Sequence, residues 1–139
     1  MERTLLLVDD EPGILSSLYR LLRRDGYQIL RADSGPEGLE VLKEHPVGVI
    51  LSDHRMPRMT GVEFLEKVKA LHPDTVRMVL SGYADLGAIT DAINKGAVYR
   101  FLTKPWDDEL LRKNVFEAFE HFELRRENAR LAQESACRA

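Results

Sequence analysis

Five polar side chains each stand directly after an apolar run in this 139-residue sequence. Asp9 and Asp10 follow Thr4-Leu5-Leu6-Leu7-Val8, Asp53 follows Val49-Ile50-Leu51-Ser52, Ser81 follows Met78-Val79-Leu80, and Lys104 follows Phe101-Leu102-Thr103. Three carboxylates brought to one place repel, and they must be neutralised by protons or by a cation. Oxygen donors alone, with no Cys or His at ligand spacing, favour a hard ion, and Mg²⁺ with retained waters fits best. The four histidines, His45, His54, His72 and His121, are scattered over different elements, which argues against zinc. Lys104 adds a fixed positive charge and Ser81 a hydroxyl donor. The set describes a pocket for a doubly charged phosphoryl group with a carboxylate able to attack phosphorus. Taken alone, Asp53 is equally well explained as a turn or cap residue; the joint pattern has to decide.

The elements that must position these residues follow from the hydrophobic pattern. Thr4 to Val8 is an apolar run too short for a helix and suits a strand buried on both faces. Pro12 then takes a first-turn position in a helix carrying Ile14, Leu15, Leu18, Leu21 and Leu22. Tyr27–Ala32 reads as a second strand, and Ser34 caps a helix with Leu39 and Leu42 that stops near His45-Pro46. Val47–Ser52 is the third strand. Thr60-Gly61-Val62-Glu63 matches a capping box, opening a helix through Leu65 and Val68 that Pro73 ends. Thr75–Leu80 is the fourth strand, and Asp85 caps a helix with Ile89 and Ile93 inward and Gly96 as its stop. Val98–Thr103 is the fifth strand. Asp107 opens a last helix patterned through Leu131, with Trp106 stapling it to the domain.

Five strands alternating with five helices predict an α/β fold, a doubly wound five-stranded parallel sheet. In the order 2-1-3-4-5, strands one and three are neighbours at the switch point, so Asp9, Asp10 and Asp53 converge on the rim that also receives Ser81 and Lys104.

Bulk properties exclude other classes. The 44% hydrophobic and 31% charged content is that of an ordinary globular domain. A net charge of −3 gives no electrostatic case for direct nucleic-acid binding. The single cysteine, Cys137, excludes an internal disulfide. No apolar stretch has the length of a membrane span, and Met1-Glu2-Arg3 leads into a strand without a cleavage pattern, so the expected location is cytoplasmic.

Asp9-Asp10, Asp53 followed by Met56-Pro57 and Gly61, Ser81-Gly82, Phe101 and Lys104-Pro105 resemble, in order and spacing, the receiver domain of two-component response regulators. The resemblance covers about residues 3–120. It implies that Asp53 accepts a phosphoryl group from a phosphohistidine on a sensor kinase or phosphotransfer protein. It further implies that Asp10 and Asp53 bind Mg²⁺ directly, Asp9 through water, and that the Arg55 backbone carbonyl completes the protein ligands. Lys104 pairs with Asp53 and then with phosphoryl oxygens. Ser81 is drawn to the phosphate and Phe101 turns inward behind it, changing the surface of the fourth helix, fifth strand and fifth helix. Arg55 and Tyr83, two residues beyond Asp53 and Ser81, occupy positions that tune the lifetime of the phosphorylated state.

Two rival readings are an aspartate-dependent Mg²⁺ phosphatase and a pseudo-receiver that binds partners without phosphorylation. The first would need an Asp-x-Asp pair, and Asp53-His54-Arg55 lacks the second carboxylate; the second sits poorly with five polar site residues in place. The chain divides into a receiver over 1–120 and a helical extension over 121–139 that leads towards an output domain absent from this sequence. In the extension, Leu111, Val115, Ala118, Phe122, Ala129 and Ala132, interrupted by Arg125, suggest a short coiled-coil seam pairing two protomers. The long final helix resembles receivers joined to larger effectors, including transcription activators and HD-type phosphodiesterases.

Overall fold

The three central apolar runs form strands buried on both faces, two partly exposed runs flank them, and the sheet is fully parallel. A computed structural model of the chain describes residues 3–82 and 86–138. The strands are β1 (Thr4–Val8), β2 (Gln28–Ala32), β3 (Val49–Asp53), β4 (Val76–Ser81) and β5 (Arg100–Thr103), in the order β2-β1-β3-β4-β5. The helices are α1 (Pro12–Leu22), α2 (Gly35–Glu44), α3 (Gly61–Leu71), α4 (Leu86–Asn94) and α5 (Asp108–Arg138).

Side chains that alternate along β1 build two cores. Leu5 and Leu7 face Leu18, Leu21 and Leu22 of α1 and Leu111, Val115, Ala118 and Phe119 of α5. Leu6 and Val8 face the other way, towards Leu42 of α2, Phe64, Leu65 and Val68 of α3, and Ile89 and Ala92 of α4. The expected strand order is therefore observed.

Local chemistry sets the helix starts. Ser34 accepts a hydrogen bond from the Glu37 N–H at 3.2 Å, and Thr60 and Glu63 exchange the two bonds of a capping box, both at 3.1 Å. The Asp107 carboxylate accepts from the Leu110 N–H at 3.0 Å and caps α5. The expected cap at Asp85 lies outside the described residues.

The structure corrects three expectations. Ile93 is 39% exposed while Ile89 is fully buried. α4 is short and rests on the sheet through Ile89 and Ala92, so Ile93 falls past the edge of its buried stripe. Leu111, Val115 and Ala118 are buried in their own domain's core, so the first half of the expected pairing seam is already occupied. The third strand starts at Val49 rather than Val47 and runs one residue further than expected, to include Asp53.

Arg77, on β4, was read as part of an apolar strand, yet its buried guanidinium closes the opposite end of the sheet. It donates to the carbonyls of Ala97 and Thr75, both at 2.9 Å, and to those of Pro73 and Gly96, both at 3.2 Å. Three ion pairs then hold α5 in place: Arg112 with Asp25 at 2.7 Å, Arg100 with Glu117 at 3.3 Å, and Arg3 with Glu123 at 2.8 Å. Trp106 packs against the core beside α5, as expected, and its indole N–H donates to Asp108 at 3.0 Å.

Candidate functional site

The C-terminal ends of β1, β3, β4 and β5 open on one rim. Val8 pairs with Ser52 across β1 and β3, so Asp9 and Asp53 leave adjacent strands at the same level. Ser81 pairs with Thr103, and the Lys104 N–H donates to the Ser81 carbonyl at 3.0 Å. Register thus brings all five positions to one rim of the sheet.

Carboxylate oxygens of Asp9, Asp10 and Asp53 lie within 4.8 Å of one another. Asp9 and Asp53 are buried and Asp10 is exposed, so the cluster opens to solvent on the Asp10 side. The Lys104 ammonium bridges the two buried members, 3.0 Å from Asp9 Oδ2 and 3.2 Å from Asp53 Oδ1. The other Asp9 oxygen accepts from the Glu11 N–H at 2.9 Å, which fixes that carboxylate.

Charge remains unbalanced. Burial first, and then the negative charge of Asp9, push the Asp53 carboxyl above its ordinary value, with Lys104 pulling it back. Burial alone would lower the Lys104 ammonium, but the hydrogen bond and charge of Asp9 together with Asp53 hold it above its usual value. One lysine faces three carboxylates, and all three donors are oxygen. That donor set fits a hard divalent cation, with Asp10 on the open side and Asp9 and Asp53 both in contact with Lys104.

The turn after Asp53 is held by contacts that sequence reasoning did not foresee. The Gly61 N–H donates to the His54 carbonyl at 2.7 Å. A Cβ on Gly61 would overlap the Asp53 carbonyl oxygen and sit 2.8 Å from the His54 Cα. Gly61 therefore lets the start of α3 close onto the backbone of the nucleophile candidate. Its place in the capping box was legible, whereas this approach was not. His54 is buried, and its Nδ1 accepts from the Val62 N–H at 3.3 Å, another brace between the turn and α3.

Ser81 is buried at the rim, and Phe101 is half-buried against the core on the α3–α4 side. Arg55, two residues after Asp53, is exposed. Tyr83 lies outside the described residues.

A doubly wound parallel sheet gathers three carboxylates and a lysine on its switch-point rim, a donor set that could hold a hard cation. The chain belongs to the response regulator receiver domain family, whose model matches residues 5–116. It is thus a receiver of the two-component type, a signalling module phosphorylated on aspartate. The hydrogenase transcriptional regulatory protein HoxA of Bradyrhizobium diazoefficiens is 37% identical over 127 residues, 91% of this chain and 26% of that protein. The chain spans about a quarter of that relative's length. Among solved structures, an uncharacterized protein from Neptuniibacter caesariensis is 48% identical with a TM-score of 0.87, covering 91% of this chain and 93% of that one. The signal receiver domain of an HD domain-containing protein from Pseudomonas fluorescens Pf-5 is 36% identical with a TM-score of 0.86, covering 91% and 93%.

Proposed function

We propose that Asp53 is the phosphoacceptor and that residues 1–120 form the receiver, with 121–139 as a helical extension carrying its state onward. The single observation that supports this most strongly is the buried Asp53 carboxylate held at 3.2 Å by Lys104, beside Asp9 and Asp10. An Asp53 oxygen forms the O–P bond as the N–P bond of a phosphohistidine breaks, and the departing imidazole takes up a proton. The donor is a sensor kinase or phosphotransfer protein. Hydrolysis by water later restores the carboxylate and releases inorganic phosphate, so the chain turns over no other substrate.

Asp10 and Asp53 would hold Mg²⁺, Asp9 would join them through water and Arg55 would contribute its backbone carbonyl, a reading supported by the three carboxylates gathered within 4.8 Å. When bound, the ion supplies positive charge against the phosphoryl oxygens. Lys104, already between Asp9 and Asp53, is placed to follow the negative charge onto the new phosphoryl group. Ser81 donates its hydroxyl to that group, and Phe101 moves inward behind it, altering the surface of α4, β5 and α5. Arg55 and Tyr83 shield the acyl phosphate from water. If Arg55→Ala and Tyr83→Ala leave the dephosphorylation rate unchanged, that shielding role is wrong.

The extension pairs two protomers and acts on an effector of the kind joined to the receivers of HoxA and the HD domain-containing relative. The module works in the cytoplasm; no helix among the described residues is long and apolar enough to cross a membrane. The test is labelling with acetyl phosphate and Mg²⁺. Wild type is expected to take up one phosphoryl group and Asp53→Asn none, whereas equal incorporation would overturn the assignment.

A further inference from the structure

An α-helix leaves its first four N–H groups without partners inside the helix. At the start of α3 the capping box takes two of them, the Thr60 N–H on the Glu63 carboxylate and the Glu63 N–H on the Thr60 hydroxyl. The other two go to a single residue outside the helix. The Gly61 N–H donates to the His54 carbonyl at 2.7 Å, and the Val62 N–H to His54 Nδ1 at 3.3 Å. The imidazole accepts that bond with its own proton on Nε2. An apolar side chain of similar size would fill the space and leave the Val62 N–H without this acceptor.

His54 is buried and directly follows Asp53. The peptide that joins them is planar, so its carbonyl and its N–H turn as one body. The Ser52 hydroxyl donates to the Asp53 carbonyl at 2.8 Å and grips one side of that plane. On the other side the His54 N–H meets the Asp53 carboxyl: burial and Asp9 push that carboxyl up, while Lys104 and then this N–H pull it down. His54 therefore meets Asp53 through its N–H and holds α3 through both its carbonyl and its ring.

We propose that His54 is a positioning residue for phosphoryl transfer: the bond from Val62 to its ring sets the tilt of the Asp53–His54 peptide and so aims the Asp53 carboxylate at the incoming phosphorus. This role rests on Asp53 being the phosphoacceptor. The ring acts through the backbone and makes no contact with the phosphoryl group. A nucleophile misplaced by about 1 Å loses about a hundredfold in rate, so a partial displacement corresponds to about tenfold.

The test follows initial rates of labelling against acetyl phosphate concentration at saturating Mg²⁺. His54→Leu removes the acceptor and is expected to lower the maximal rate about tenfold, with the half-saturating concentration within about twofold of wild type. His54→Asn places Oδ1 where Nδ1 stands and should recover the maximal rate to within about twofold. Val62→Pro removes the donor instead, at a first-turn position whose N–H has no intrahelical partner, and should slow labelling as His54→Leu does. It carries the test if His54→Leu does not fold. The double variant should be no slower than either single one, because both remove the same bond. Amide exchange at Val62 should be slow in wild type and His54→Asn and fast in His54→Leu. A wild-type maximal rate in His54→Leu or Val62→Pro, a His54→Asn protein as slow as His54→Leu, or effects that multiply in the double variant would overturn the role of the ring. Labelling of Asp53→Asn equal to wild type would instead overturn the acceptor assignment itself.

Discussion

Replacing Gly61 by alanine tests whether the start of α3 fixes the backbone at Asp53. The added Cβ would lie 2.8 Å from the His54 Cα and 2.9 Å from the Asp53 carbonyl carbon, and would overlap the Asp53 carbonyl oxygen. All three are backbone atoms in a buried turn, so no side chain can swing aside. The Gly61 N–H also donates to the His54 carbonyl at 2.7 Å, and relieving the overlap stretches that bond. Overpacking costs about 1–3 kcal/mol, and immovable neighbours put Gly61→Ala at the upper end, about 3 kcal/mol. For a domain of this size that is a fall of about 10 °C in Tm. Gly13→Ala is the internal control. Gly13 lies in α1 with nothing within 4 Å of a Cβ, and alanine there gains up to about 1 kcal/mol of helix propensity. Urea denaturation followed by circular dichroism gives both values, and acetyl phosphate labelling shows whether displacing the turn also slows Asp53. A Gly61→Ala protein within about 0.5 kcal/mol of wild type would refute the claim that this contact fixes the turn.

Other perturbations follow from the same site. Asp53 has a folded value above its unfolded one, so between the two the folded chain binds more protons and stability falls as pH rises. Asp53→Asn is therefore expected to be more stable than wild type at neutral pH in chelator, with the gap closing below the ordinary carboxylate range; urea midpoints across pH check it, and a less stable Asn variant at neutral pH contradicts it. Mg²⁺ at a hundredfold excess over its Kd should stabilise wild type by about 2.7 kcal/mol, and Asp10→Asn should lose most of that shift in thermal melts. Arg77→Met leaves the buried carbonyls of Thr75 and Ala97 without this donor and should cost about 3 kcal/mol in urea melts, with labelling retained because the loss is at the far end of the sheet.

Much of this was legible because local rules and global topology agreed. The short apolar runs have the length and pattern of strands, and the 2-1-3-4-5 order by itself brings the acidic residues together. Ser34, Thr60 with Glu63 and Asp107 announced their helix starts through side-chain chemistry confined to three or four residues. What stayed hidden depended on contacts distant in sequence. Lys104 reaches Asp9 slightly more closely than Asp53, a preference set by where two strands end rather than by composition. The role of Arg77 is not legible within its strand, because its carbonyl partners come from loops that only the fold assembles. The periodicity of α5 correctly marked an apolar stripe, yet periodicity cannot distinguish a face that meets its own sheet from one that meets another chain. Leu111, Val115 and Ala118 took the first role, while Leu124 and Leu131 stand exposed.

Asp53 as the phosphoacceptor is tested most directly by reductive trapping. Wild-type chain is loaded with acetyl phosphate and Mg²⁺ and treated with borohydride, which converts an aspartyl phosphate to homoserine, and the digested peptides are sequenced by mass spectrometry. Homoserine at position 53 is the predicted result; homoserine at position 9 or 10, or at no aspartate, would contradict the account.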